Sequence, residues 1–186
     1  MYDLAIIGGG PAGATLARLI GNQYKVLLLE RRTFEEPLYD GFQKCCGGLI
    51  APDAQKLLAS FSLGLPKAVV LSPQMFAVRT IDFDNKLERY YQRHYINIDR
   101  EEFDKWLISL VLPKVNLIKG ACYHSHVELK DRVKITFSTE GKTYEEEARL
   151  LVGADGAFSK VRRTSFPKEI VPRKYVAIQE WFESLP

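Results

Sequence analysis

Two short hydrophobic runs stand near the start of the chain, at residues 4–7 and 26–29. Uninterrupted apolar runs of this length are typical of strands that are buried on both faces of a parallel sheet. The segment between them starts at Pro11, carries apolar residues at helical spacing and is followed by Gly21. Because proline favours the first turn of a helix and glycine its end, the pattern predicts a β–α–β unit.

The middle of the chain predicts a short helix, then mostly strands, then a second helix. The first helix is expected near residues 52–61, and β-rich sequence follows at residues 69–98. Within it the segment "IDFDNKLERYY" (81–91) alternates apolar and polar positions about an Asp-Asn turn, which predicts a β-hairpin. Asp99 is then placed to cap a helix whose apolar face carries Phe103, Leu107 and Leu110.

The last third of the chain predicts further strands. A strand is expected at residues 115–118, followed over residues 126–154 by an antiparallel meander of three strands with turns at Asp131 and residues 140–141. An apolar run at 150–152 is expected to be a buried strand that enters a Gly-Ala-Asp-Gly turn and leads into a basic helix. The whole pattern predicts an α/β fold that joins a parallel sheet to an antiparallel meander.

Composition narrows the classes of protein. The chain has 186 residues, 46% hydrophobic and 26% charged, with a net charge of +3, which is ordinary for a globular protein. No arginine-rich run is interleaved with aromatics, so we expect no nucleic-acid partner. No apolar run approaches the ~20 residues of a membrane span, and a first strand from Tyr2 leaves no room for a signal peptide, so we expect a cytoplasmic protein. Three cysteines without a C-x-x-C spacing favour neither a disulfide framework nor a zinc site.

The first candidate chemistry is a G-x-G-x-x-G motif at Gly8, Gly10 and Gly13, between the first strand and the helix. Glycines there let backbone amides approach a pyrophosphate, and the helix N-terminus adds a positive dipole end. Glu30 ends the second strand, 22 residues after Gly8, where its carboxylate can accept hydrogen bonds from the ribose hydroxyls of an adenosine. The unit predicts dinucleotide binding without separating FAD from NAD, and a glycine-rich turn with no ligand is the alternative.

Three motifs together resemble the geranylgeranyl reductase and flavoprotein monooxygenase group of FAD-dependent oxidoreductases, which includes p-hydroxybenzoate hydroxylase. They are "GGGPAG" with Glu30, "INIDREEFDKWL", and the D-G motif "DGAFSKVR", in the family's order. The resemblance implies a glutathione reductase-like, Rossmann-type FAD-binding domain at 1–66 and 99–165. It also implies part of a β-rich substrate domain at 67–98 and 166–186. The family's third FAD motif lies further along than residue 186, so we expect a truncated or N-terminal portion of such an enzyme.

The segment "KCCGGLI", residues 44–50, is similar to the Lys-x-Cys-Gly-Gly segment of geranylgeranyl reductases, which lies along the flavin. Paired glycines let backbone pass close to a ring system, and a cysteine is small enough to sit beside it. A glycine turn with a buried cysteine is the alternative interpretation.

The resemblance also implies cofactor-binding residues. At the adenosine diphosphate end these are Gly8, Gly10, Ala12 and Gly13 at the pyrophosphate, Glu30 at the ribose, Arg31 on the adenine side, the backbone of Ala121 and Cys122 at the adenine edge, and Asp155 supporting the pyrophosphate side. At the other end Cys46, Gly47 and Gly48 would line the riboflavin or its substrate side, and Arg100 would contact the cofactor through its fixed fork of donors. Catalytic residues are not assigned.

The expected function is reduction of prenyl double bonds of a lipid or related hydrophobic substrate through reduced flavin. An FAD-dependent aromatic hydroxylase and a non-catalytic FAD- or nucleotide-binding fragment are the alternatives. Because no second G-x-G-x-x-G occurs, an external reductant, nicotinamide or ferredoxin-type, would have to meet the flavin directly.

Two further groups of side chains are weaker candidates. His124 and His126 alternate and would share one face of a strand, but no third ligand is recognisable, so no metal is expected. Basic residues between 160 and 174 predict a solvated face, with weak peripheral contact to anionic lipid as the lesser alternative.

Overall fold

The computed structural model describes residues 1–35, 46–170, 173–176 and 178. The chain divides into two compact units, Met1–Gln43 with Asp104–Val176, and Lys44–Phe103 with Ala177–Pro186. Parts of the predicted substrate-domain strand at 166–186, and Lys44 and Cys45 of the "KCCGGLI" segment, lie outside the described residues.

The elements follow one another in the predicted order, with one short strand at Leu49–Ile50 that the pattern did not predict. They are β1 (Tyr2–Ile7), α1 (Pro11–Ile20), β2 (Val26–Glu30), β3 (Leu49–Ile50), α2 (Pro52–Ser60), β4 (Met75–Asp82), β5 (Leu87–Asn97), α3 (Arg100–Ser109), β6 (Asn116–Lys119), β7 (Cys122–Glu128), β8 (Val133–Thr139), β9 (Lys142–Gly153) and α4 (Lys160–Ser165).

The first unit contains a six-stranded sheet in the order β6-β2-β1-β9-β8-β7. β6, β2, β1 and the end of β9 are parallel, whereas β9, β8 and β7 pair antiparallel as a meander. The predicted α/β class, with its parallel sheet and meander, is therefore confirmed.

β9 belongs to both parts of this sheet. Up to Ala148 it pairs with β8, and from Ala148 onward it pairs with β1. Ala148 itself is opposite Val133 on one side and Tyr2 on the other, and it is fully buried.

The prediction that the strand at residues 150–152 is buried is wrong for Leu150, which is 60% exposed. Leu151 packs against the core cluster, and because successive side chains of a strand point to opposite faces, Leu150 points away from that cluster.

The core of the first unit lies against this sheet. All five residues of β2 are buried, as expected for a strand in the interior of a parallel sheet. One cluster joins Ala5 and Leu27 of the parallel strands to Phe137 of the meander and Val161 of α4. The parallel strands and the meander therefore share one hydrophobic core, which fixes the ends of the strands.

The second unit contains a three-stranded sheet in the order β3-β5-β4. The predicted hairpin is present, since β4 pairs antiparallel with β5, and Asp82 accepts hydrogen bonds from the backbone and side-chain nitrogens of Asn85 in the turn. Most side chains of β4 and β5 are exposed. Asp99 caps α3 as predicted, because its Oδ1 accepts from the backbone N–H groups of Glu101 and Glu102 at 2.8 and 3.0 Å.

Candidate functional site

The carboxyl ends of four parallel strands meet at one edge of the large sheet. Ile7 of β1 pairs with Leu29 on one side and Gly153 on the other, and the last residue of β2, Glu30, pairs with Lys119. In open α/β sheets, ligands bind outside the carboxyl ends of the strands. This edge carries the glycine turn, Glu30, the start of β7 and the D-G turn.

The glycine turn depends on close backbone contacts. Gly8 has a φ of +103°, and a Cβ there would lie 2.4 Å from the carbonyl oxygen of Ala154 in the D-G turn. A Cβ on Gly13 would lie 1.9 Å from the carbonyl oxygen of Gly8. Gly8 and Gly13 are therefore required by the packing of the turn itself.

Gly10 differs from these two glycines. It caps α1 with extended backbone, φ −68° and ψ −176°, which any residue can adopt, and no side chain caps the helix in its place. Ala12 is exposed in the first turn of α1. The helix N-terminus thus presents backbone N–H groups that side-chain caps do not cover, which is the arrangement that binds an anion.

Glu30 lies behind this turn and is only 4% exposed. Its Oε2 accepts a hydrogen bond from the backbone N–H of Gly9 at 2.6 Å. Its Oε1 accepts from the backbone N–H of Arg32 at 2.9 Å and from Arg32 Nε at 3.0 Å. The carboxylate is therefore fixed by the backbone of the glycine turn and by its own loop.

Arg32 extends this network to α3, where its Nη1 donates to Asp104 Oδ2 at 2.8 Å. The guanidinium also lies over the ring of Phe34, 4.5 Å from its centroid. Burial alone would lower the pKa of Arg32, but the hydrogen bonds and charges of Glu30 and Asp104 outweigh it and raise that pKa. Arg32 is therefore permanently charged in a buried position.

Sequence reasoning missed both Arg32 and Asp104 and favoured Arg31, which is exposed. A signal was present, because Asp104 precedes the buried Leu107 and Ile108 by three and four residues and so shares the apolar face of α3. An acid on an apolar helix face indicates a buried partner.

The D-G turn is tied to the same edge, since the backbone N–H of Ala154 donates to the carbonyl of Ile7 at 2.8 Å. Asp155 Oδ2 accepts from the backbone N–H groups of Lys160 and Val161 at 2.7 and 3.3 Å. Its Oδ1 is buried, and the described residues offer it no donor. An acceptor in this state suits a donor from water or from a ligand hydroxyl.

The start of β7 contributes two of the predicted residues. Ala121 is buried and its backbone N–H donates to the carbonyl oxygen of Glu30 at 2.9 Å, whereas Cys122 is exposed. Nearby, burial raises the pKa of Tyr123 to about 12, with the negative charge of Asp155 adding to the effect.

In the second unit, two predicted residues lie together although they are 54 positions apart. Arg100 Nη1 donates to Cys46 Sγ at 3.7 Å. Gly48 has a φ of +66° and a Cβ there would lie 2.2 Å from the carbonyl oxygen of Ile98, while a Cβ on Gly47 would meet no atom of the described residues within 4 Å. The two glycines therefore differ, since the backbone just after β5 lies close against Gly48 and not against Gly47.

The prediction that His124 and His126 share one face is wrong. The register of β7 against β8 shifts between Tyr123 and Ser125, so His124 is exposed and His126 is buried. His126 pairs with the Tyr123 hydroxyl at 2.6 Å and with the Ser165 hydroxyl at 3.1 Å. A β-bulge is the physical reason, because its extra residue breaks the alternation of faces.

No helix within the described ranges has both the length and the apolar character that crossing a membrane requires.

No protein-family model matches the chain. Protein CbrA of Escherichia coli K12 is 43% identical over 181 residues, which cover 97% of this chain and 50% of the relative. Protein CbrA of Shigella sonnei gives the same identity and coverage. The chain therefore spans about half the length of the curated relatives it matches.

Solved structures share the fold. A geranylgeranyl bacteriochlorophyll reductase-like protein from Thermoplasma acidophilum superposes with a TM-score of 0.68 at 19% identity, over 83% of this chain and 39% of that protein. The p-nitrophenol 4-monooxygenase of Pseudomonas putida gives a TM-score of 0.67 at 17% identity, over 89% and 44%. Flavin-dependent halogenases also match. The chain thus shares the α/β fold of these proteins.

Proposed function

We propose that the chain binds FAD and belongs to an FAD-dependent oxidoreductase, with the adenosine diphosphate half of the cofactor held at the carboxyl edge of the large sheet. The observation that carries the proposal is the glycine turn packed on the D-G turn, with the buried carboxylate of Glu30 behind it. A dinucleotide needs an anion site and a ribose acceptor next to each other, and this edge offers both.

The residues present fit such a cofactor. The N-terminus of α1 has no side-chain cap, so its N–H groups are available to a pyrophosphate without a lysine. Asp155 Oδ1 is a buried acceptor without a donor among the described residues, which suits a ligand hydroxyl. As the resemblance implies, we also propose that Ala12 contacts the pyrophosphate. Arg31 would lie on the adenine side, and the backbone of Ala121 and Cys122 would contact the adenine edge.

For the other end of the cofactor we propose Cys46, Gly47, Gly48 and Arg100. The Arg100 guanidinium donates to the Cys46 thiol, so these two side chains hold each other in place. Among the described residues, no atom lies within 4 Å of a Cβ built at Gly47, an arrangement that suits a flat ring beside the backbone.

The activity that we propose is reduction of prenyl double bonds in a hydrophobic substrate. Bound, reduced FAD would supply a hydride to one carbon of the double bond, and a proton would be added to the other carbon. The double bond would thereby be saturated and the cofactor would return to its oxidised form. The segment at Cys46–Gly48 supports this reading, as does the fold shared with the reductase-like protein of Thermoplasma acidophilum.

An aromatic hydroxylase is the second candidate, because the p-nitrophenol 4-monooxygenase of Pseudomonas putida shares the fold to almost the same degree. The two candidates need the same nucleotide site and differ in substrate. The external reductant and peripheral membrane contact stay predictions in both cases.

Cofactor binding is tested by Gly10→Val, measured by calorimetry with FAD and with ADP. We expect a folded variant that no longer binds either ligand, because the added methyl groups occupy the space through which backbone approaches the pyrophosphate. Gly64→Val is the matched control, since no described residue has an atom within 4 Å of a Cβ at Gly64. Undiminished affinity in folded Gly10→Val would refute the phosphate-turn assignment.

The activity is tested on the full-length protein, by anaerobic turnover of its dithionite-reduced, FAD-loaded form with geranylgeranyl lipids, followed by mass spectrometry. We expect a mass gain of about two hydrogens for each saturated double bond. Unchanged lipids, together with oxygen incorporation into an aromatic acid in air, would favour the hydroxylase.

A further inference from the structure

We propose that residues 158–170 form a surface that binds anionic lipid headgroups, with basic side chains on the phosphates and exposed apolar side chains at the lipid boundary. This segment includes α4 and the turn that follows it. The inference goes beyond the proposed function, because binding to a lipid surface through this segment requires neither FAD nor a reaction.

The first step concerns the charge of the segment. It contains one acidic residue, Glu169, and four basic residues, Lys160, Arg162, Arg163 and Lys168. Since the whole chain has 26 basic and 23 acidic residues, 22 of each remain elsewhere. The excess positive charge of the chain is therefore equal to that of these 13 consecutive residues.

The second step concerns the partners of these cations. Within the described ranges, none of the four basic side chains makes an ion pair. Arg162 donates to the backbone carbonyl of Ala157 at 3.0 Å, and Lys160, Arg163 and Lys168 are exposed. By contrast, two basic side chains of the meander pair with glutamates at 3.2 and 2.6 Å. The described part of the chain therefore leaves the charge of the segment available to an external anion.

The third step concerns the apolar side chains between the cations. Phe158, Phe166 and Ile170 are 65%, 59% and 92% exposed. The sequence favoured a solvated face for this region, but a solvated face does not need large apolar side chains. Cations beside exposed apolar side chains are characteristic of segments that lie at a membrane surface. A nucleic acid is the less suitable partner, because Ile170 has no aromatic face on which a base could stack.

The fourth step concerns the rigidity of the surface. Val161 of α4 belongs to the hydrophobic core cluster of the first unit. Ser159 caps the helix by accepting from the backbone N–H of Arg162 at 2.9 Å, and the Ser165 hydroxyl lies 3.1 Å from His126 Nε2. α4 is thus fixed at its start, middle and end, so little conformational freedom is lost when its outer side chains bind.

The experiment measures co-sedimentation of the purified chain with lipid vesicles. Vesicles of phosphatidylcholine alone are compared with vesicles that also contain phosphatidylglycerol, which is anionic. We expect the wild-type chain to bind the anionic vesicles at least about tenfold more tightly, and added salt to weaken this binding. Equal binding to both kinds of vesicle, or no binding, overturns the proposal without any substitution in the protein.

Charge reversal locates the surface. We expect the double variant Arg163→Glu, Lys168→Glu to bind anionic vesicles at least about tenfold more weakly. The matched control is Lys130→Glu, Lys142→Glu, because both of these lysines are exposed in the meander and the net charge changes equally. Equal losses in the two double variants would show that only the total charge matters, which overturns the assignment to residues 158–170.

Truncation of an apolar side chain separates a lipid surface from a general polyanion site. We expect Ile170→Ser to weaken binding to anionic vesicles by about fivefold, whereas Val127→Ser, at an exposed position of β7, has little effect. Wild-type vesicle binding in Ile170→Ser, together with equally tight binding of a DNA oligonucleotide, overturns the lipid surface. Calorimetry with FAD tests the proposed function separately, so a chain that binds FAD but not vesicles overturns this inference alone.

Discussion

The two units of the chain stabilise their candidate residues in different ways. In the first unit, all of β2 is buried and one hydrophobic cluster joins the parallel strands to the meander. In the second unit, α2 has no buried residue and the β4–β5 hairpin exposes large side chains such as Phe76 and Tyr90. The carboxyl edge of the large sheet is therefore fixed by a core, whereas Cys46 and Arg100, which contact each other across 54 positions, lie in a unit where fewer of the described apolar side chains are buried.

The largest effect is expected from adding a single methyl group to the glycine turn. Gly13→Ala would place a Cβ 1.9 Å from the carbonyl oxygen of Gly8, and neither backbone can move without shifting β1 or α1. We expect a loss of about 4 kcal/mol or more in the free energy of unfolding, measured by urea denaturation. Gly47→Ala in the second unit is the control, because its Cβ would meet no atom of the described part of the chain within 4 Å. Similar stability of both variants would contradict the contrast between the units.

A smaller effect is expected from truncating one apolar side chain in each unit. Leu28 in β2 is fully buried, whereas Phe76 in β4 is 62% exposed. We expect Leu28→Ala to cost about 3 kcal/mol through lost burial and the cavity left behind, and Phe76→Ala to cost less than about 1 kcal/mol. Denaturant midpoints compare the two variants. A Phe76→Ala chain as unstable as Leu28→Ala would show that Phe76 stabilises the second unit as a core residue does.

The smallest effect concerns the ionisation of two tyrosines. Burial, followed by the charge of Asp155, raises the pKa of Tyr123 to about 12, and a hydrogen bond to the Glu88 carboxylate raises the pKa of the exposed Tyr90. Because the folded pKa of Tyr123 lies above the value of about 10 in an unfolded chain, its contribution to stability is complete below pH 10. That contribution is lost as the pH rises to about 12.

Ultraviolet titration of the phenolates measures this difference. We expect Tyr123→Phe to remove the step near pH 12 and to leave the titration of exposed tyrosines in place, and Tyr90→Phe serves as the matched control. A step near pH 12 that persists in Tyr123→Phe would show that another tyrosine is the buried one.

Much of the fold could be predicted because its signals are local. Continuous apolar runs mark β1 and β2, a proline and a glycine bound α1, and turn residues separate the strands of the meander. These patterns are contained in a few consecutive residues, so they identify each element and its approximate bounds. The glycine spacing and Glu30 likewise placed the candidate site at one edge of the sheet.

The features that could not be predicted depend on contacts between distant residues. The pairing of Arg32 with Asp104 joins positions 72 residues apart, and the family resemblance implied a role for neither residue. The bulge that separates His124 from His126 is a property of the register between two strands, which alternation along one strand does not show. The exposure of Leu150 reflects what packs on each face of β9, and the sequence of that strand alone does not contain this information.

β9 changes its pairing partner from β8 to β1 at Ala148. The length of this strand therefore sets the distance between the two turns that it connects. Twelve residues at ~3.3 Å each set a fixed span from the Glu140–Gly141 turn to the D-G turn. One residue inserted after Ala148 would turn every following side chain to the opposite face and carry Asp155 away from the glycine turn. One residue inserted at Glu140 or Gly141, where φ is +50° and +73°, would lengthen only a loop. We therefore expect the protein to tolerate an insertion at the Glu140–Gly141 turn but not after Ala148. A tag or a label can thus be inserted at this turn.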